Sequence, residues 1–131
     1  MNEEDKKLLL KDLCARIPNH VKVELHGEIC TCLGYFDDFV MLTSNTPMGQ
    51  QTNVANVKPY LRPLSSMTEE EKIELCTRAY APDEMKTIEE KLQVIKINAK
   101  YAADFYNEHH FDYRGLIEKG LALEAPDGMY K

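Results

Sequence analysis

The chain of 131 residues has no tryptophan, only six glycines and six prolines, and no surplus of basic charge. No apolar run approaches the roughly 20 residues that cross a bilayer, which excludes a membrane-spanning helix. Sixteen Lys and Arg stand against 22 Asp and Glu, for a net charge of −6. Phosphate and anionic lipid are bound through excess cationic side chains, so the charge argues against a general nucleic-acid or membrane-surface binder. A phosphate-cradling glycine loop, a Gly-x-Ser-x-Gly elbow and a metalloprotease helix are also missing. Four cysteines are too few for a disulfide scaffold. What is present is an ordinary globular composition, 44% hydrophobic and 29% charged. That is enough apolar surface for one core, and the length fits a single domain over 1–131.

The start, Met1-Asn2-Glu3-Glu4-Asp5-Lys6-Lys7, lacks the basic and apolar stretches of a secretion signal, and neither end carries a lipidation box. A cytoplasmic location is therefore expected. There Cys14, Cys30, Cys32 and Cys76 are expected as thiols.

Leu9, Leu10, Leu13 and Ile17 recur at helical spacing behind an acidic first turn, and Pro18-Asn19 stops the pattern, predicting a helix over 3–17. From Val21 the period changes to two. Val21, Val23 and Leu25 alternate with polar residues, His26-Gly27 turns the chain, and 28–35 forms a second strand with Ile29, Thr31, Leu33 and Tyr35 on one face. Asp37-Asp38 marks the next turn and 39–43 a third strand; short turns make the pairing antiparallel. Residues 44–53 read as a loop, and a short fourth strand near 52–57 would close a small curved sheet.

Pro59 and Pro63 forbid helix in the first half of 57–67. Thr68-Glu69-Glu70-Glu71 is a capping box opening a helix to about Tyr80, with Ile73, Leu75 and Cys76 inward. From Met85 to Tyr106 apolar residues step by three and four, predicting a helix over 84–109 of about 39 Å at about 1.5 Å per residue. One more short helix is expected over 111–119, ended by Gly120, and 120–131 reads as a loose tail. The fold class is α+β: an N-terminal helix, an antiparallel sheet of three to four strands over 21–57, and a helical half over 68–119. The stripes of the first and long helices are expected to bury against the sheet. In a domain this size such a stripe serves a core more often than a dimer seam, which favours a monomer. Residues 67–110 hold ten acidic and six basic side chains, a solvated face by ordinary expectation.

Three constellations could carry chemistry. Cys30-Thr31-Cys32, with His26 nearby, places two thiols on one side of a strand, but a closed zinc site needs a second pair, so core packing is the expected role. Glu108-His109-His110-Phe111-Asp112 offers metal ligands or an acid–base pair. A metal-dependent hydrolase on His109, His110, Asp112 and Glu118 is the alternative it supports. The histidines, however, fall at a helix end, where they favour the dipole, and lack the i, i+4 spacing of a helical zinc site. The third is a pair of aromatic–basic segments, 58–63 and 111–116. Tyr60, Arg62, Tyr113 and Arg114 are residue types enriched at binding hot spots, and Arg with Tyr can also stack a single strand of nucleic acid, which makes a nucleic-acid-associated protein the other alternative. Against that, Arg62 and Arg114 could pair with Asp112 or Glu118 and latch the C-terminus onto the domain.

Three blocks, Leu8 to Pro18, Val57 to Glu70 and His109 to Ala122, resemble a family of short uncharacterised proteins common in gut Bacteroides-type bacteria, their prophages and mobile elements. The blocks span most of the chain and leave out the Cys30/Cys32 pair. The resemblance implies no catalytic residue and no cofactor. It implies a small accessory module of phage or mobile-element origin; with the residue types of the 58–63 and 111–116 segments, the expected function is non-enzymatic binding of a protein partner, with Tyr60, Arg62, Tyr113 and Arg114 as anchors.

Overall fold

The computed structural model describes residues 1–44, 49–78 and 102–130, the last three of the second segment as backbone. Helix α1 spans Glu3–Arg16. Asn2 starts it, its Oδ1 accepting the Asp5 N–H at 2.7 Å, and three acidic residues fill the first turn, where the helix dipole favours them. The buried stripe is Leu9, Asp12, Leu13 and Arg16, so a charged pair shares the apolar face that the leucines alone had outlined.

Strands β1 (Lys22–Leu25), β2 (Glu28–Phe36), β3 (Phe39–Leu42) and β4 (Gln50–Asn53) follow as an antiparallel meander. His26 and Gly27 both take positive φ, 50° and 83°, the backbone that a two-residue hairpin turn requires. The sheet is larger than three or four strands and is mixed. β5 (Lys58–Leu61) pairs antiparallel with β1, and β6 (Leu123–Glu124) pairs parallel with β5, giving the order β4-β3-β2-β1-β5-β6. Residues 54–56 form a 3-10 turn rather than part of the fourth strand. The expected loose tail is therefore incorrect. Leu123 and Glu124 complete the sheet, and the Tyr130 hydroxyl donates to the Tyr60 carbonyl at 2.7 Å.

Helix α2 covers Glu69–Arg78. Its capping box is formed in both directions: Glu71 N–H to Thr68 Oγ1 at 3.2 Å, and Thr68 N–H to Glu71 Oε1 at 3.0 Å. Leu75 is buried, whereas Ile73 is exposed rather than inward. Most of the long helix expected over 84–109 lies outside the described residues. Its end is a separate six-residue helix, α3 (Ala103–Glu108), which starts after a turn at Ala102. The expected helix at 111–119 is a single turn. Leu121 N–H bonds the Leu116 carbonyl and Gly120 N–H the Ile117 carbonyl, with Gly120 at φ 75°, a Schellman closure that explains why the glycine looked like a helix stop.

The core has two parts. The larger lies between α1 and the inner face of the sheet, with Leu9, Leu13, Val23, Cys32, Val40 and Leu61 near zero exposure. The smaller joins Leu75, Ala102, Phe105, Tyr106 and Phe111. Among the described residues, no helix is long and apolar enough to cross a membrane.

Candidate functional site

The C-terminal corner gathers most of the residues singled out by sequence. Arg16 is fully buried and bonds Asp12 with two nitrogens, at 2.9 and 3.1 Å, and the Phe111 carbonyl at 2.6 Å. Arg114 reaches the same carboxylate, Nε to Asp12 Oδ1 at 3.1 Å, and also donates to the Tyr113 hydroxyl at 2.8 Å. Tyr113 stacks on Tyr106 at 5.2 Å, Tyr106 meets Phe111 edge-on, and the Arg62 guanidinium lies 4.2 Å over the Phe111 ring. The two arginine anchors thus sit at opposite ends of one aromatic ladder. Each is engaged within the chain.

Arg62 makes a two-pronged ion pair with Glu71, both contacts at 2.7 Å, and bonds the Ser66 carbonyl at 3.2 Å. The Arg62 hydrogen bonds hold the Glu71 carboxyl down at about 2. The latch anticipated for these arginines exists, with different acids. Asp112 instead accepts the N–H groups of Leu116 and Ile117, at 2.9 and 3.0 Å, and Arg62 and Arg114 take Glu71 and Asp12. Of Tyr60, the backbone carbonyl is used by Tyr130, and the side chain is half-buried.

The metal alternative is not assembled. His109 turns to Glu71 and Glu74, at 3.4 and 3.8 Å, while His110 is buried against Tyr130 with ring centres 3.7 Å apart. Asp112 faces the turn it caps. Among the described residues, no three His, Cys, Asp or Glu side chains are placed to hold a metal ion. Burial, then the positive charge of Arg16, pushes His110 down to about 4, and burial pushes Tyr130 up to about 12. Both are neutral and structural at pH 7. Cys30 and Cys32 point into the core, and burial raises both thiols, Cys32 to about 11, which makes them poor nucleophiles and poor ligands.

Beside this corner lies a cleft of about 530 Å³ lined by Arg62, Glu71, His109, Asp127 and Tyr130 among others. Its one arginine is paired with Glu71 on the same wall, and the further charged residues of the lining are the acids Glu124 and Asp127.

The surface that sequence reasoning passed over is the outer face of the β2–β3 hairpin. Ile29, Leu33, Phe36, Phe39 and Met41 are 40–68% exposed there. Cys32 pairs with Leu42 but Gly34 with Met41, so Leu33 is an extra residue in β2. A bulge of this kind flips every later side chain. It carries Tyr35 to the inner side, within hydrogen-bond reach of the Cys14 thiol on α1, and corrects the expected face of Ile29, Thr31, Leu33 and Tyr35. In its place it brings Phe36 outward, opposite Phe39. The signal was in the sequence. Both phases of the alternation are apolar in Ile29-Cys30, Cys32-Leu33 and 39–42, the mark of a strand meant to be covered on both faces.

Comparison with known protein families, with curated proteins and with solved structures finds no match for the chain.

Proposed function

We propose that this protein is a small, non-enzymatic, cytoplasmic protein-binding module, and that it binds through the outer face of the β2–β3 hairpin. The observation that carries this reading is the exposure of Leu33, Phe36, Phe39 and Met41 together on one sheet face, with Ile29 beyond Thr31 on the same strand. Large apolar side chains gathered in one patch and rimmed by polar residues are characteristic of a docking surface. The rim here is Thr31 on β2, Lys22 and Glu24 on β1, and Gln51 and Asn53 on β4.

The corner of Tyr60, Arg62, Tyr113 and Arg114 supports the reading from behind the sheet rather than as the contact surface. Its arginines hold the C-terminal segment to α1 and α2, and so keep the sheet rigid behind the hairpin. The resemblance to phage and mobile-element proteins fits an accessory module of this kind.

The test is a pull-down with nuclease from a bacterial lysate, comparing wild type with Phe36→Asp. Phe36 is the most exposed large apolar residue among the described residues, so the variant is expected to stay folded by circular dichroism. Loss of a stoichiometric protein partner with the fold intact supports the reading. A partner retained by Phe36→Asp and lost by Arg114→Ala would move the surface to the corner.

A further inference from the structure

The C-terminal segment closes the sheet without entering the core. Leu121 and Ala122 are its last buried residues, and 123–130 is half-buried or exposed, so it can lift away without opening the apolar interior. Leu123 and Glu124 lie in register with Tyr60 and Leu61, and the Ala125 N–H donates to the Leu61 carbonyl at 2.8 Å. The rest of the grip is Tyr130. The β1–β5 ladder stops at Val23 and Pro59, and the next two residues, Lys22 and Tyr60, are joined through the Tyr130 hydroxyl. It accepts the Lys22 N–H at 3.0 Å and donates to the Tyr60 carbonyl at 2.7 Å. The ring that carries this hydroxyl lies on His110, with 3.7 Å between ring centres and 17° between planes.

His110 is the unsettled half of that stack. Its backbone is held in the left-handed region at φ 60°, its Nδ1 has no hydrogen-bond partner, and it is only 5% exposed. Besides the Tyr130 phenol, the titratable and charged groups acting on it are Arg16 from α1, Lys22 from β1, Arg62 after β5 and His109 after α3. All four are cationic or can become so, and no acid among the described residues answers them. A proton on this imidazole therefore finds no counter-charge in place and is solvated only when the Tyr130 ring leaves. We propose that segment 123–130 is an acid-sensitive strap: protonation of His110 expels Tyr130, lifts the strap from the edge of β5 and opens the cleft that residues 124–128 and Tyr130 wall. At neutral pH the strap is closed. The closed form holds the imidazole at about 4, and the open form returns it toward the ordinary 6.5, so the open form takes up the proton first. The opening constant is steady above pH 6.5 and rises as pH falls toward 4, by up to about 20-fold between pH 7 and pH 5.

Native-state amide hydrogen exchange of the full chain, at pH 7 and pH 5 with low urea, reads the opening residue by residue. Lys22 and Ala125, whose N–H groups bond Tyr130 and Leu61, are expected to exchange together and almost independently of urea, because lifting the strap exposes little surface. Cys32 and Val54, bonded to the Val21 and Asp38 carbonyls, are expected to exchange far more slowly and with the full urea dependence of unfolding. Protection at Lys22 and Ala125, corrected for intrinsic exchange, should fall by up to about 20-fold from pH 7 to pH 5 in wild type and stay level in His110→Asn. Should His110→Asn fail to fold, Tyr130→Ala decides. With the ring gone, the NMR titration of His110 is expected to climb from about 4 toward 6.5. Exchange of all four amides at one urea-dependent rate overturns the proposal. So does protection at Lys22 and Ala125 that ignores pH, a pH response that persists in His110→Asn, or a His110 titration unmoved by Tyr130→Ala.

Discussion

Asp12 and Arg114 meet at 3.1 Å across 102 positions of sequence, and the same carboxylate holds the fully buried Arg16. One acid therefore ties α1 to the 111–116 segment and neutralises the only cation at zero exposure among the described residues. A buried ion pair adds little net stability over an apolar replacement, but removing one partner strands the other charge. Asp12→Ala is expected to lose about 3–5 kcal/mol, most of a small domain's stability. Arg114→Ala leaves the Asp12–Arg16 pair intact and is expected to lose about 1 kcal/mol. The double variant Asp12→Leu with Arg16→Met should be more stable than Asp12→Ala alone. Urea unfolding of the four proteins checks the order.

His110 and Tyr130 lie stacked with ring centres 3.7 Å apart, and the His110 Nδ1 has no hydrogen-bond partner. The folded chain holds this imidazole at about 4, below its ordinary 6.5, so between those values the unfolded chain takes up the proton first. The contribution to stability is complete above pH 6.5 and falls as pH drops toward 4, by up to about 3 kcal/mol. Denaturation midpoints from pH 7 to pH 4 should show that slope. His110→Asn keeps a residue that tolerates the φ of 60° and removes the titration. It should be less stable at pH 7 but flatter over this window, and an unchanged slope would place the response on another group.

How far the fold was readable follows from what each feature leaves in the sequence. The first helix is marked by its acidic start and Pro18 stop, the first hairpin by alternation and His26-Gly27, and the second helix by its reciprocal cap. The strand Lys58–Leu61 was hidden because Pro59 lacks a ladder donor and argues against a central strand, yet it sits opposite Val23. β6 is two residues long, too short for any period. The Leu33 bulge changes no composition, only register, so the face assignment failed beyond it. Candidate arginines were readable by type, and their acids were not, since Glu71 and Asp12 are brought to them by tertiary packing.

Gly49 enters β4 with φ 71°, and a Cβ there would stand 2.8 Å from the Leu42 carbonyl oxygen. That backbone oxygen cannot swing aside as a flexible side chain would. Gly49→Ala is expected to lose about 2 kcal/mol, from left-handed strain and the close approach together. Gly34, at the bulge, has ordinary φ and nothing within 4 Å of a built Cβ. Gly34→Ala should stay within about 0.5 kcal/mol of wild type. Thermal unfolding of both variants compares a glycine required by its backbone with one that is not.

Arg62 lies between two roles, a partner's anchor and the clamp on α2. Its fork grips Glu71 at 2.7 Å twice, and its plane covers Phe111 at 4.2 Å, geometry that an ammonium cannot copy. Arg62→Ala and Arg62→Lys are both expected to lose about 2 kcal/mol, with Lys recovering little of it. In either variant the Glu71 carboxyl, freed of the guanidinium, should climb from about 2 toward the ordinary 4.5, which a carboxylate NMR titration reads directly. The pair's contribution in wild type is complete above pH 4.5 and is lost as pH falls toward 2. If Arg62 is a clamp, partner capture by the folded fraction of Arg62→Lys equals that of wild type. If it is an anchor as well, capture by the folded fraction falls in addition to the loss of stability and the rise of the Glu71 carboxyl.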